Sequence, residues 1–343
     1  MDFSKKLIRW YNSNQRSLPW RGTKDPYKIW LSEIILQQTR VAQGLPYYEK
    51  FIENFPTVFH LAKADEQTVL KLWQGLGYYS RARNLHQTAQ QIVTDYNGNF
   101  PSNYIDLQQL KGVGTYTAAA IASLAFDEDV VVLDGNVYRV MARYFAVELD
   151  IAAHSSKKYF FELAQSQLPK GKAAVFNQAL MEFGATHCTP QNPKCESCIF
   201  SNNCAALQKK IVDKLPLKLK KTKVTQRFLH YIIPIDCNQN TTLNKRTNKG
   251  IWQNLYEFPL VETLEKTTTI DAEIQTLFPQ QNIEKPILKA TITHKLSHQN
   301  LEIYFWELQL QEALPEALSF EEVKKRPFPI VIYNFLSENY FCK

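Results

Sequence analysis

Four cysteines within seventeen residues constrain this 343-residue chain more than any other feature. Cys188, Cys195, Cys198 and Cys204 follow the pattern C-x6-C-x2-C-x5-C, while Cys237 and Cys342 stand alone. Six cysteines are too few for a disulfide scaffold, and the opening MDFSKKLIRWYNSNQ has no apolar core of the kind a secretion signal needs. Clustered thiols in such a chain read as a metal site in a reducing compartment. Zinc usually takes two short claws separated by a longer loop. One claw flanked by two single ligands suits a cubane [4Fe–4S] cluster better. Zinc stands second among the readings and disulfides third.

The rest of the composition bounds the frame. At about 150 residues per domain, the length allows roughly two. Hydrophobic residues at 45% and charged residues at 21% belong to a folded globular chain and argue against disorder. The longest apolar run, Ala118 to Phe126, falls far short of the roughly 20 residues that a membrane helix needs. No membrane contact is expected. The net charge of +7 fits a polyanionic partner without proving one.

Residues 1–210 read mostly as helices. Trp30, Leu31, Ile34 and Ile35 recur at helical spacing, as do Leu61, Val69, Leu70 and Trp73. Pro101-Ser102 opens another candidate helix, with Ser102 as its cap. Gly75 and Gly77, Asn97-Gly98-Asn99, and Gly112 and Gly114 mark connectors. From Lys209 to Arg227, eight lysines and arginines accompany one acid, Asp213. That composition is a basic linker, either a solvated tether or a strand skirting a phosphate backbone. Strand-like patterns follow at 228–235, 287–293 and 301–308, with a short helix at 319–325. A second, α+β domain is therefore expected.

Three segments carry chemistry. In Leu110-Lys111-Gly112-Val113-Gly114-Thr115 two glycines let the backbone turn tightly between helices, and the following helix start favours an anion. Lys111, Gly112, Val113 and Gly114 are thus candidates for DNA phosphate contact. Glu33 shares a helix face with Trp30 and Gln37, and desolvation there should push its pKa up, as a general acid near neutral pH requires. An ordinary helix glutamate is the commoner explanation of such a residue. Asp134 follows the apolar run Val131-Val132-Leu133 and is placed to cap the next helix, a role compatible with chemistry.

Glycine hairpin, Leu133-Asp134-Gly135-Asn136-Val137 and the cysteine pattern, in that order, resemble the endonuclease III superfamily of DNA glycosylases. Leu18-Pro19-Trp20-Arg21, Ser32-Glu33, Leu36-Gln37-Gln38-Thr39 and Gly75-Leu76-Gly77-Tyr78-Tyr79 resemble its MutY-type A/G-specific adenine glycosylases. The resemblance runs from the N-terminus to Cys204 and resumes more weakly at 250–259 and 294–298. It implies a mainly α helix–hairpin–helix catalytic domain over 1–213 that includes the iron–sulfur segment 188–204. A basic linker over 214–226 and a MutT-like (Nudix-fold) domain over 227–343 complete the expected division.

The same resemblance implies a monomer acting on double-stranded DNA, cytoplasmic and nucleoid-associated in a bacterium. Adenine opposite 8-oxoguanine or guanine would be extruded into a pocket. Glu33 would protonate adenine N7 and Asp134 would stabilise the sugar cation, with Tyr116 and Asn136 in support. Leu18, Trp20, Arg21 and Gln178 match positions around the extruded base, Gln38, Leu76 and Tyr78 positions near the opposing one, and Thr39 a further substrate-binding position. Bifunctional relatives carry a lysine where this chain has Tyr116, which implies base removal without efficient strand cleavage. Leu296, Ser297 and His298 match a loop that checks for 8-oxoguanine, with Leu296 replacing the usual Phe. Residues 250–259 have no counterpart of the Nudix glutamate pattern, so a nucleotide-pool hydrolase is disfavoured. The pair Glu33 and Asp134 disfavours a non-catalytic DNA-binding protein.

Overall fold

The computed structural model describes residues 3–219, 223–279, 283 and 285–341. Lys220 and Lys221 of the basic stretch and Cys342 lie outside them. The chain divides into two compact units, one drawn from Met1–Lys63 and Asn84–Lys221, the other from Ala64–Arg83 and Thr222–Lys343. A division by composition cuts the chain only around 213–227. The units differ from it because residues 64–83 bind the C-terminal part: the Lys71 ammonium donates to the Lys324 and Arg326 carbonyls, and Arg83 to the Gln253 carbonyl.

The first unit is helical. Asp25 starts the Pro26–Leu36 helix by accepting the Tyr27 amide at 3.0 Å, with Pro26 at the first position. From Ile29 to Ile35 this helix is buried on every side, as is Thr117 to Ala125 of the Thr115–Phe126 helix. An all-round apolar helix belongs in the middle of a fold, and these two pack against each other there. The Gly135–Phe145 and Ala173–Thr186 helices also pack together. Their apolar faces meet Phe3, Leu7 and Phe200 in one core that extends beneath the cysteine loop.

Two local expectations are corrected. The helix after Pro101 spans Tyr104–Leu107 and is capped by Asn103, not Ser102: the Asn103 carboxamide oxygen accepts the Asp106 amide at 2.9 Å. The apolar periodicity from Leu61 to Trp73 belongs to two helices, Val58–Lys63 and Glu66–Trp73, because Asp65 turns the chain and caps the second.

The second unit is built on a four-stranded sheet in the order Leu260–Thr263, Thr225–Ile235, Gln299–Gln309, Ile287–Lys295. The two central strands run parallel, with His230 opposite Tyr304 and Tyr231 opposite Phe305. Both edge strands are antiparallel to their neighbours. Leu301, Ile303, Tyr304, Phe305 and Trp306 are all buried, which explains the imperfect alternation: both faces of this strand are covered. Ile270, Ile274 and Phe278 cover the face that shows Ile232, Tyr304 and Trp306. On the other face Phe335 of the Ile330–Asn339 helix stacks on Phe305 at 4.0 Å. No helix among the described residues is long and apolar enough to cross a membrane.

Candidate active site

Within the first unit a cavity of about 190 Å³ gathers Glu33, Tyr116, Asp134 and Asn136 with Leu18, Trp20, Arg21, Thr39 and Gln178. Glu33 comes from the central Pro26–Leu36 helix and Tyr116 from the first turn of Thr115–Phe126. Asp134 is the cap of Gly135–Phe145: one carboxylate oxygen accepts the Val137 amide at 2.7 Å, the other the Asn136 carboxamide at 2.7 Å. Capping fixes the carboxylate and leaves it at the cavity wall. The Tyr116 hydroxyl donates to Glu33 at 2.5 Å.

Burial pushes the Glu33 carboxyl up to about 7; the Asp134 charge adds to this, while the Tyr116 hydrogen bond and the Arg21 cation oppose it. Burial also raises Asp134, against its hydrogen bonds from Val137 and Asn136 and the nearby Arg139 charge. The two carboxyls therefore have unlike surroundings: one held by a phenol, the other by a helix start and a cation.

The wall opposite holds charges that local motifs do not announce. Glu182, its side chain fully buried, accepts both Arg16 Nε and Nη2 at 2.7 Å and Arg21 Nη2 at 2.6 Å. These bonds hold the carboxyl down at about 2 despite burial. They pin the segment that carries Leu18, Trp20 and Arg21. Gln178, in the cavity lining, accepts the Tyr11 hydroxyl at 2.8 Å through its carboxamide oxygen, which sets the amide nitrogen as its donor side.

The glycine hairpin turns at Gly112, where φ is +74° and a Cβ would meet that of Asn84 at 2.7 Å. Lys111 accepts the Thr88 hydroxyl through its carbonyl and donates its amide to Gln91, so its side chain is exposed on a fixed backbone. Gly114 then caps the helix that presents Tyr116. Gln38 sits at φ +56° just past the Pro26–Leu36 helix and does not line the cavity.

Leu76, Tyr78, Leu296, Ser297 and His298 come together in the second unit instead. With Arg83 and Trp252 they line a cavity of about 550 Å³. The Leu296 amide donates to the Gln299 carbonyl at 2.7 Å, closing a tight turn between two strands, and Ser297 Oγ lies 3.1 Å from His298 Nδ1. Tyr78 is half exposed.

All four clustered cysteines line one further cavity of the first unit. Arg143 holds the loop between the first two: its guanidinium donates to the Thr189 and Pro190 carbonyls and reaches Cys188 Sγ at 3.5 Å. Arg139 donates to the Cys188 carbonyl at 2.7 Å and to Asn136 at 2.8 Å. A continuous chain of hydrogen bonds thus runs from the cysteine loop through Arg139 and Asn136 to Asp134.

Residues 31–166 match the HhH-GPD superfamily of base excision DNA repair proteins, residues 188–204 the iron–sulfur binding domain of endonuclease III, and residues 230–338 the NUDIX domain. An adenine DNA glycosylase of Buchnera aphidicola subsp. Schizaphis graminum is 37% identical over 304 residues, covering 88% of this chain and 86% of its own length. This chain belongs to the adenine DNA glycosylase family. The adenine DNA glycosylase of Rattus norvegicus is 42% identical over 216 residues, covering 60% of this chain and 42% of its own length. A thermostable thymine-DNA glycosylase of known structure superposes with a TM-score of 0.56 at 34% identity, over 60% of this chain and 95% of its own length.

Membership makes the chain a DNA glycosylase with a [4Fe–4S] cluster on Cys188, Cys195, Cys198 and Cys204. The residues present fit that group. Four thiols share one cavity, a donor set of sulfur alone. Burial pushes the Cys198 thiol up to about 11, so deprotonation there comes with iron binding. Arg139 and Arg143 place two cations beside the resulting thiolates. Both arginines, like Glu182 and Arg16, were unmarked in the sequence: Cys188, Thr189 and Glu182 lie tens of residues from the arginines that meet them.

Proposed function

We propose that this glycosylase excises adenine opposite 8-oxoguanine or guanine from double-stranded DNA, as a monomer, and leaves the strand intact. One observation carries the reading: Glu33, buried, raised to about 7 and bonded to Tyr116, shares a cavity with the ionisable Asp134. At neutral pH a large fraction of Glu33 holds a proton. Given to adenine N7, that proton makes the base a neutral leaving group. The N-glycosidic electron pair leaves with the base, and positive charge develops on the deoxyribose. Asp134, fixed by Val137 and Asn136, supplies the negative charge that stabilises it. Water then attacks the sugar, and ionised Glu33 takes its proton, which restores the starting state.

Leu18 and Trp20 would sandwich the base, and the Gln178 amide and Arg21 would meet its polar edge. No lysine is among the cavity-lining residues, and Tyr116 has no amine with which to form a Schiff base. In the second unit Ser297 and His298 would read the opposing base beside Leu76 and Tyr78. The hairpin Lys111 to Gly114 would take a phosphate, which positions the duplex without reading sequence. The test is a labelled duplex with adenine opposite 8-oxoguanine, analysed before and after alkali. Adenine release with breakage only after alkali is expected. Breakage without alkali at the yield of base release overturns the monofunctional part, and an intact adenine overturns the rest.

A further inference from the structure

Next to the first cluster ligand stands a histidine with an unexplained nitrogen. His187 ends the Ala173–Thr186 helix and lines the cavity that holds the four cysteines. Its ring stacks on Phe183 at 5.0 Å and meets the edge of Trp10 at 5.9 Å. The two aromatic contacts fix the ring plane. Nε2 is buried and has no hydrogen-bond partner among the described residues. A buried polar nitrogen left without a partner is costly, and native proteins rarely keep one. The hairpin of backbone bonds around it, Cys188 to the Phe183 carbonyl and Lys194 to the His187 carbonyl, gives the ring little freedom to look elsewhere.

We infer that His187 donates its Nε2–H to the iron–sulfur cluster, as a fifth protein contact that tunes the cluster's reduction potential. A bare ring nitrogen facing sulfur lone pairs would be repelled, whereas an N–H is attracted, so a bound cluster favours the tautomer with hydrogen on Nε2 over one that turns its N–H to the Lys194 backbone. A donor to cluster sulfur stabilises the more electron-rich oxidation state and raises the potential, and such bonds are among the levers that set it. Arg143, beside Cys188 Sγ, acts in the same direction from another side of the cavity.

The test compares holoenzyme bound to an undamaged duplex on an electrode for wild type, His187→Phe and His187→Gln, each with its iron content measured. The Phe variant keeps the ring stack and removes the donor; its potential should fall, with the oxidised-to-reduced ratio at fixed potential rising about tenfold, or about 59 mV for a one-electron couple. The Gln variant, with a donor restored, should return towards wild type. Equal potentials for wild type and His187→Phe at four irons each overturn the inference. A second measurement needs no variant. In wild-type protein labelled with ¹⁵N-histidine and oxidised to a paramagnetic cluster, pulsed EPR should detect a coupled ring nitrogen and a proton that exchanges in D₂O. Absence of both couplings overturns the inference even where the variants lose iron.

Discussion

Replacing Tyr116 by Phe isolates one bond in the acid's surroundings. The hydroxyl donates to Glu33 at 2.5 Å and opposes the upward push of burial. Hydrogen bonds to charged groups are worth about 1.5–3 kcal/mol, and one pKa unit corresponds to about 1.4 kcal/mol. Removing the hydroxyl should therefore raise Glu33 by about one to two units above its present value. A general acid works only while protonated, so the rate of adenine release should decline through about pH 7 in wild type. In Tyr116→Phe that decline should move one to two units, roughly, to higher pH. The plateau rate should drop as well, because the carboxyl loses the group that orients it, but the position of the inflection is the diagnostic quantity. The assay is single-turnover base release on saturating duplex across about two pH units either side of neutral. An inflection that stays in place, or moves to lower pH, refutes the assignment of Glu33 as the titrating acid held down by Tyr116.

Glu33→Gln should bind duplex but release no adenine, and it should also alter the pH dependence of stability. The folded pKa is raised from 4.5 to about 7, so the folded chain keeps a proton that the unfolded chain loses. Stability then falls as pH rises through that window, by up to ~3 kcal/mol, and is flat above it. The Gln variant should lack this fall in denaturant titrations; identical pH slopes would contradict it. Asp134→Asn should be inactive with stability within about 1 kcal/mol of wild type, because Asn caps a helix as well as Asp does; an active but destabilised variant would reduce Asp134 to a cap. Cys198→Ser should lose iron and duplex affinity together, and stoichiometric zinc in the wild-type protein would refute the cluster. Ser297→Ala and His298→Ala should each weaken the preference for 8-oxoguanine over guanine by about 0.5–1.5 kcal/mol, roughly two- to tenfold, in a competition between the two duplexes; unchanged preference in both moves the reading to Gln38 and Tyr78.

What was legible beforehand had short sequence range. Asp134 announces itself because a cap needs only its own backbone and the next three residues. The cysteine spacing is likewise local, and Gly112 marks a turn that a Cβ would obstruct. Glu33 needed more: its helix was plain, but its raised pKa depends on Asp134, about one hundred residues away, and on burial by helices it does not touch in sequence. The cap falls on Asn103 rather than Ser102 because its carboxamide oxygen, one residue on, reaches the Asp106 amide. Arg16 with Glu182, Arg139 with Cys188, and His187 with its unpaired nitrogen left no trace, since a lone Arg or His in a sequence has no visible partner. The same holds for residues 64–83, whose helical pattern gives no hint that they bind Gln253, Lys324 and Phe328.

That last feature bears on how the molecule is made. Residues 64–83 leave the ribosome well before the backbone groups of Phe328 that bond Gln74 and Tyr79. At a synthesis rate of about 5–20 residues per second the delay is roughly 10–50 s. Throughout that interval the bonds of Gln74 and Tyr79 to Phe328 cannot form, while other stretches of the chain are already free to fold. A chain that terminates ahead of Phe328 also removes two of the bonds that hold a segment far upstream of the break. Nonsense and frameshift changes late in the gene should accordingly lower the amount of folded protein, and a clean truncation at the linker is a poorer reagent than point changes at Ser297 or His298.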